Sequence, residues 1–437
     1  MALQRQTCAS NEDQCDVLVI GAGPAGSTAA ALIAGHGKNV VLLEKNAHPR
    51  FHIGESLLPK NLAILQRLGV LDEIATEGVL KPGAEFVSDE TGVSVQFNFA
   101  DGLNKADTHS YQVIRANFDQ TLFSNAKRRG ARTFEETRVT DVVLSTGASR
   151  ASVQARSADG RILTFAPRFI IDASGREAFL ASKLRLIRTN KRESTAAAFA
   201  HFRNVRPQTS DTAGYITVHL AKEGWFWMIP LSNAVTSVGF VGSQAVFKNR
   251  RGALKDFLLA KIQDSPSVRK RMMNASLVSE VTGAGNYAYC ARSACGDGYL
   301  IIGDAFAFVD PIFSTGVLLA MTGAELAADI AIGWLDDPKV GLALARQAER
   351  RMRASIHKLS WFIHRINDPV LRDMFMAPSN RFRMRAGIVT LLAGNLQKSW
   401  RYMPPLVAFK CMFYVLSVAH WAGFRLPAPA TADATHE

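Results

Sequence analysis

Apolar residues in this chain fall into short continuous runs, alternating stretches and long helical stripes, and their order predicts most of the architecture. The run CDVLVI, Cys15 to Ile20, leads straight into GAGPAGSTAAALIAGHG, where glycines give way to an alanine-rich helical pattern, and a second run, NVVLLEK, follows at Asn39 to Lys45. Short apolar runs bounded by turn residues read as buried strands, so this segment predicts strand, turn, helix and strand, the opening of a doubly wound sheet. A helix is predicted from Pro59 through Gly69, with Leu62, Leu65 and Leu68 at helical spacing. Stretches at Val93 to Phe99 and Val139 to Leu144 predict sheet. Ser152 to Gln154 pairs with Thr164 onward across a hairpin at Asp159-Gly160, and FIIDASG, Phe169 to Gly175, is a further buried strand ending in a turn.

From about Ser194 to Cys290 the short runs GYITVHL, GWFWMIPL and VTSVGFVG predict a second sheet. At Tyr299 the chain returns to a strand, a glycine-bearing turn and a long helix, and beyond Gly341 the pattern is helical. The expected fold is α/β: a Rossmann-type nucleotide-binding domain interleaved with a β-sheet-rich substrate domain and a helical C-terminal region. The expected divisions are 13–190, 191–295, 296–340 (the returning nucleotide-binding segment) and 341–425, with loose tails at 1–12 and 426–437. Leu406 to Phe424 is apolar but carries Lys410 and His420; a buried or lid-forming helix is favoured there over peripheral membrane contact, and both over a true span.

Composition narrows the function classes. With 437 residues and 48% hydrophobic content, the chain can bury a large core. A net charge of +13 comes without a zinc finger, arginine-rich arm or aromatic-basic platform, so it argues against nucleic acid and bears instead on solubility and on capture of acidic partners. Five cysteines, an odd number without metal-ligand spacing, together with an opening that does not read as a signal peptide, fit a reducing cytoplasm and no metal centre.

Gly21, Gly23 and Gly26 form GxGxxG after a strand and before a helix. Such glycines serve the turn, the approach of backbone to a pyrophosphate, and helix packing, and the helix N-terminus offers free N–H groups to phosphate. Glu44, 23 residues after Gly21, stands where a ribose-binding acid belongs, and a carboxylate there disfavours a 2′-phosphate.

The motif does not by itself choose between FAD and NAD. The order GxGxxG, DASG at Asp172 to Gly175 and GDA at Gly303 to Ala305 resembles the class A flavoprotein monooxygenase superfamily, which implies FAD. The resemblance puts Asp304 on the ribityl hydroxyls and the Pro311, Gly316 and Val317 region beside the isoalloxazine. Arg115, in YQVIRANFDQTL, resembles an FAD-contacting arginine, its alternative being a surface arginine on a capped helix. Ala25, Lys45, Arg50 and Ser56 complete the cofactor set.

Two further segments are more specific. WFWMIP, Trp225 to Pro230, matches WxWxIP, and FVDPIFSTG, Phe308 to Gly316, matches FxxPxxSxG. Together, around an FAD scaffold, they resemble the flavin-dependent halogenases over about residues 13 to 400. The resemblance implies an active-site wall of Trp225, Trp227, Pro230, Phe308 and Phe313, and a halide nest at Ser314, Thr315 and Gly316, where backbone N–H groups and the helix dipole meet an anion. It also implies a lysine that passes hypohalous acid to the substrate. Lys81, in EGVLKPGAEF, fills that place although Pro82 and Ala84 soften the match; Lys60 is the rival, at a helix start that suggests a solvated side chain. A lysine in a dry pocket holds a depressed pKa and can act chemically.

The implied reaction uses reduced FAD, oxygen and chloride or bromide to halogenate an electron-rich ring. No second GxGxxG serves NAD(P)H, so a separate flavin reductase is the expected partner. Tryptophan halogenases carry glutamate just before STG where this chain has Phe313, which favours an already activated phenol or pyrrole, free or tethered to an acyl or peptidyl carrier protein, in secondary-metabolite (antibiotic or pigment) biosynthesis. Three other readings compete: a hydroxylating FAD monooxygenase, which needs no Lys81; a geranylgeranyl-reductase-like flavoprotein, which leaves WxWxIP unexplained; and a non-catalytic flavin or carrier scaffold.

Overall fold

The computed structural model describes residues 12–145, 149–189, 195–286, 289–366, 368–396, 400 and 402–422. Cys8 and the tails expected at 1–12 and 426–437 fall, but for Glu12, outside the described residues.

The first sheet begins where the apolar runs predict. Asp13–Ile20 is its central strand, flanked in parallel by Val40–Leu43 on one side and by Ile162–Asp172 on the other. Tyr299–Ile301 extends it in parallel beyond Ile162–Asp172, and Arg132–Phe134 beyond Val40–Leu43. Chain segments nearly 300 residues apart therefore share one sheet. The hairpin strands Thr137–Val143 and Ser152–Ser157 attach through the N-terminal half of Ile162–Asp172. Strands buried on both faces need continuous apolar sequence, which is why VLVI and VVLL show no alternation. The helices Pro24–Ala34, Arg115–Arg128 and Gly316–Asp336 cover one face and close the largest alanine-rich core.

The second sheet runs Ser276–Leu277, Thr195–Arg203, Val235–Ser243, Gly224–Pro230, Ile216–Ala221, Gly83–Ser88 and Ser94–Asn98, with Thr282–Asn286 also pairing to Thr195–Arg203. Period-two alternation splits its strands between two cores. Trp225, Trp227 and Ile229 face the core shared with the C-terminal helices, whereas Phe226 and Met228 face the helices Leu254–Asp264 and Pro266–Met272. The α/β class with a helical C-terminal region is thus the observed one. Helices Pro338–Ile363, Pro369–Met376, Met384–Leu392 and Met403–Trp421 make up that region.

Of the favoured expectation at Leu406 to Phe424, a buried or lid-forming helix, the buried alternative needs correcting. Met403–Trp421 buries only Pro405, Leu406, Phe409 and Phe413, while Val407, Tyr414, Val415, Val418 and Trp421 are exposed. Among the described residues, the helix is apolar on all sides but has a neighbour on one. Lys60, at the helix start, keeps a partly exposed side chain, and its Nζ lies 3.1 Å from Asp107 in an ion pair.

Candidate active site

The glycine turn is built as its chemistry requires. Gly21 has φ +92°, and a Cβ on Gly26 would meet the Gly21 carbonyl oxygen at 1.8 Å, so both positions exclude other residues. Gly23 differs: a Cβ there meets nothing nearer than the Arg50 guanidinium at 3.7 Å, leaving a cradle above the start of Pro24–Ala34. Glu44 Oε2 accepts from Ala22 N at 2.9 Å and faces Arg50 at 3.4 Å, while Oε1 accepts from Asn46 N at 3.0 Å. These bonds fix the carboxylate at the strand end beside the turn.

One cavity runs from this turn to the second sheet. It collects Gly21, Gly23, Ala25, Glu44, Lys45, Arg50, Ser56, Arg115, Asp304, Pro311, Ser314, Gly316 and Val317 from the cofactor and halide assignments. Gly26 packs beneath the turn instead. Lys45 pairs with Glu177 within the cavity lining. Arg115 is neither a surface arginine nor an unengaged one: its guanidinium holds Asp119 at 2.8 and 3.0 Å and donates to the Ile53 and Gly54 carbonyls, pinning the loop that forms one wall. Asp304 sits on the cavity with its carboxyl pushed up to about 6 by burial, an effect opposed by Arg176 and Arg115.

At the other end, Pro311–Phe313 forms a tight turn and Ser314 takes a left-handed φ of +55° before helix Gly316–Asp336 starts. The first N–H groups of a helix lack intrahelical acceptors. A Cβ on Gly316 would meet nothing within 4 Å, and the Thr315 Oγ1 is buried without a partner among the described residues. An open backbone, an unpartnered hydroxyl and a helix dipole together fit an anion. The cradle at Gly23 and the open edge at Gly316, joined by one cavity, likewise fit an extended flavin dinucleotide. Arg50, Arg115 and Asp304 would hold it, and the group would supply the redox chemistry.

Trp225, Trp227, Ile229 and Phe308 line the cavity, and Trp227 Nε1 donates to Ser237 Oγ at 3.1 Å. Two assigned wall residues do not. Pro230 lies out of the cavity because alternation from Ile229 turns it to the opposite face of the strand. Phe313 packs into the core against Phe362 and Phe375. Lys81 is also absent from the lining: it is 1% exposed, and its Nζ donates to Ser56 Oγ and the Leu57 carbonyl, both at 2.8 Å. Ser56 does line the cavity, so the ammonium sits one side chain behind it. Burial lowers the Lys81 pKa from 10.5 to about 7.

Several cavity groups escaped the sequence reading. Glu55 Oε1 lies 2.6 Å from His201 Nε2, its other oxygen buried and without a partner among the described residues, and His52 is lowered to about 4, first by the Arg115 charge and then by burial. Arg176, just after DASG, stacks over Phe308 at 5.2 Å. Only Glu55 had a signal, its place in the GESLLP loop; Arg176 comes from a turn that meets the cavity solely through the fold, and His201 stands outside the lining, reaching it through Glu55.

The comparisons agree with this geometry. The family described as FAD binding domain matches residues 14–354. The flavin-dependent halogenase armH5 of Armillaria mellea is 34% identical over 72% of this chain and 64% of its own length. A 1H-pyrrole-2-carbonyl peptidyl-carrier-protein chlorinase of Pseudomonas fluorescens is 28% identical over 88% of this chain and 90% of its own. The chain spans 60 to 66% of the length of the first curated relatives it matches. Among solved structures, a flavoprotein/dehydrogenase of Cytophaga hutchinsonii has a TM-score of 0.84 at 31% identity, covering 93% of this chain and all of that one. The myxobacterial chondrochloren halogenase CndH has a TM-score of 0.77 at 30% identity, covering 92% of this chain and 97% of that one. The chain belongs to the FAD-dependent halogenase family, within the FAD-binding flavoproteins that share this fold.

Proposed function

We propose that this protein is a halogenase that uses reduced FAD, oxygen and chloride or bromide to halogenate an electron-rich aromatic ring, phenolic or pyrrolic, free or tethered to a carrier protein. A separate NAD(P)H-dependent flavin reductase feeds it. Reduced FAD supplies, when bound, the activated oxygen that oxidises the halide; the chain's residues do the rest. The N-terminus of helix Gly316–Asp336, with Ser314 and the Thr315 hydroxyl, holds the halide. Trp225 and Trp227 keep the organic ring out of the flavin end of the cavity. Lys81, near neutrality balanced between ammonium and amine, hydrogen-bonds the oxidised halogen species and releases it to the ring, with Ser56 between it and the cavity.

The observation that carries this reading is a fully buried, pKa-lowered lysine one serine away from a cavity walled by two indoles. A hydroxylase needs neither. The experiment is mass spectrometry of products from protein supplied with FAD, reductase, NADH and bromide or chloride. The substrates are free and carrier-borne phenols and pyrroles, with Lys81→Ala as control. A halogen isotope pattern lost in the variant is the expected result, and added oxygen without halogen, insensitive to the variant, transfers the protein to the hydroxylases.

A second observation bears on location. Among the described residues, two helices are long and apolar enough to cross a membrane, but Gly316–Asp336 is a core helix of the flavin half. Met403–Trp421 presents its outward face beside exposed Arg381, Phe382 and Arg383. We read this face as a peripheral membrane contact, aromatic and aliphatic at its centre and cationic at its edge.

A further inference from the structure

Behind the indole wall lies a second cavity of about 1170 Å³, large enough for a whole small-molecule group. It shares Trp225, Phe308 and Val309 with the flavin cavity, so the two spaces meet across those side chains. Its lining carries five lysines and arginines, together with His357 and His364, against two carboxylates. Neither carboxylate offsets the charge in full. Glu223 is engaged by Lys261 outside the cavity, at 2.5 Å, and burial pushes the Asp310 carboxyl up to about 6.

The cations divide into two kinds. Arg353 is fixed by Glu349 and by the Ala291 and Arg292 carbonyls at 2.8 and 2.7 Å, and Arg372 reaches the Ile366 and Ala221 carbonyls, so these two cations are held in place. Arg188, Lys222 and Arg292 are exposed and make no side-chain hydrogen bond or ion pair among the described residues. Like charges gathered round a concavity and not neutralised by the protein raise the local concentration of an anion and slow its escape. Nothing in the flavin or halide chemistry uses them.

We propose that this cavity binds an anionic handle carried by the substrate, a phosphate ester or a carboxylate, and so holds the ring to be halogenated against Trp225. The inference rests on the halogenase reading for the identity of the substrate, but not for the existence of the site. A phosphate ester would come from the prosthetic arm of a carrier protein and a carboxylate from a free aromatic acid; the cavity chemistry is the same.

The test uses the full chain saturated with FAD, so that FAD cannot itself compete. Binding of phosphopantetheine and of 4-hydroxybenzoate is measured by titration calorimetry at low and high salt. The comparison is wild type, Lys222→Ala/Arg292→Ala, and a control, Lys127→Ala/Lys339→Ala, that removes the same charge elsewhere. The expected result is salt-sensitive binding of at least one probe, weakened ten-fold or more in the cavity variant and less than two-fold in the control. Phosphopantetheine alone binding identifies the carrier-borne source, and 4-hydroxybenzoate alone the free acid. Binding of neither probe, or equal weakening in both variants, overturns the site. If a probe binds as expected but no ring substrate is ever halogenated, the site stands and the halogenase reading fails.

Discussion

Helices Gly316–Asp336 and Met403–Trp421 are nearly equal in length and mean hydropathy, 1.5 against 1.3 over their most apolar windows, yet 56% of the first window is buried and 22% of the second. The first is wedged between Pro24–Ala34 and Pro338–Ile363, with small residues such as Ala324, Ala327 and Ala328 letting backbones approach. The second has aromatic side chains on both faces and a neighbour on one. Hydropathy therefore records how much apolar surface a helix offers, whereas residue size and placement decide whether the protein itself covers it.

The sharpest way to break the comparison is one charge on each helix. Ala328 is 0% exposed, and Ala328→Glu would bury a carboxylate without a partner, costing on the order of 4 kcal/mol or more and preventing accumulation of folded, yellow holoprotein. Val418→Glu should move stability by less than about 0.5 kcal/mol. Chemical denaturation followed by flavin absorbance measures both, and similar losses at the two positions would mean that the outward face is covered after all. Next in size is the inner face of the second helix. Phe409 packs against Phe362 and Phe375, and Phe409→Ala should cost about 3 kcal/mol through the cavity it leaves.

Lys81 sharpens the comparison from the other side, since a charged residue here is buried more deeply than an aliphatic one at Val418. Its native pKa of about 7 lies below the ordinary 10.5. Between those values the unfolded chain holds a proton that the native state has released, so its contribution to stability rises with pH across about 7 to 10.5 and is at its least favourable below 7. The stability of Lys81→Met relative to wild type should therefore be highest below pH 7 and fall by on the order of 3 kcal/mol by pH 10. A difference flat with pH would mean that the buried group keeps its proton.

These cases also mark what the sequence could tell. The strand–turn–helix opening, the three strands of the second sheet and the returning helix were legible because continuous, alternating and helical patterns are local properties of the chain. Two steps were not. Which side chains meet the cavity depends on partners far along the chain, which is why Pro230 on its strand and Phe313 in its turn were expected in the wall while Arg176 was overlooked. The burial of Lys81 behind Ser56 likewise needs the short pairing of Val79–Lys81 with Ser110–Gln112, a register that three residues on each side do not announce.

The smallest expected effect on stability carries the most information about the outward face. Trp421 is 88% exposed and Val418 66%, and Arg381 and Arg383 stand near the same helix. Burying these side chains in a lipid interface recovers on the order of 2 kcal/mol each, and nearby cations add roughly 1 kcal/mol apiece on an anionic surface. Co-sedimentation with vesicles rich in phosphatidylserine should thus exceed that with phosphatidylcholine alone and weaken with salt. Trp421→Ser/Val418→Ser should abolish it while unfolding at the wild-type midpoint. If the double variant still binds vesicles, the cations alone account for the attraction. If wild type binds neither vesicle, the exposed stripe is not a membrane contact, and the hydropathy it shares with Gly316–Asp336 would then need a protein partner to cover it.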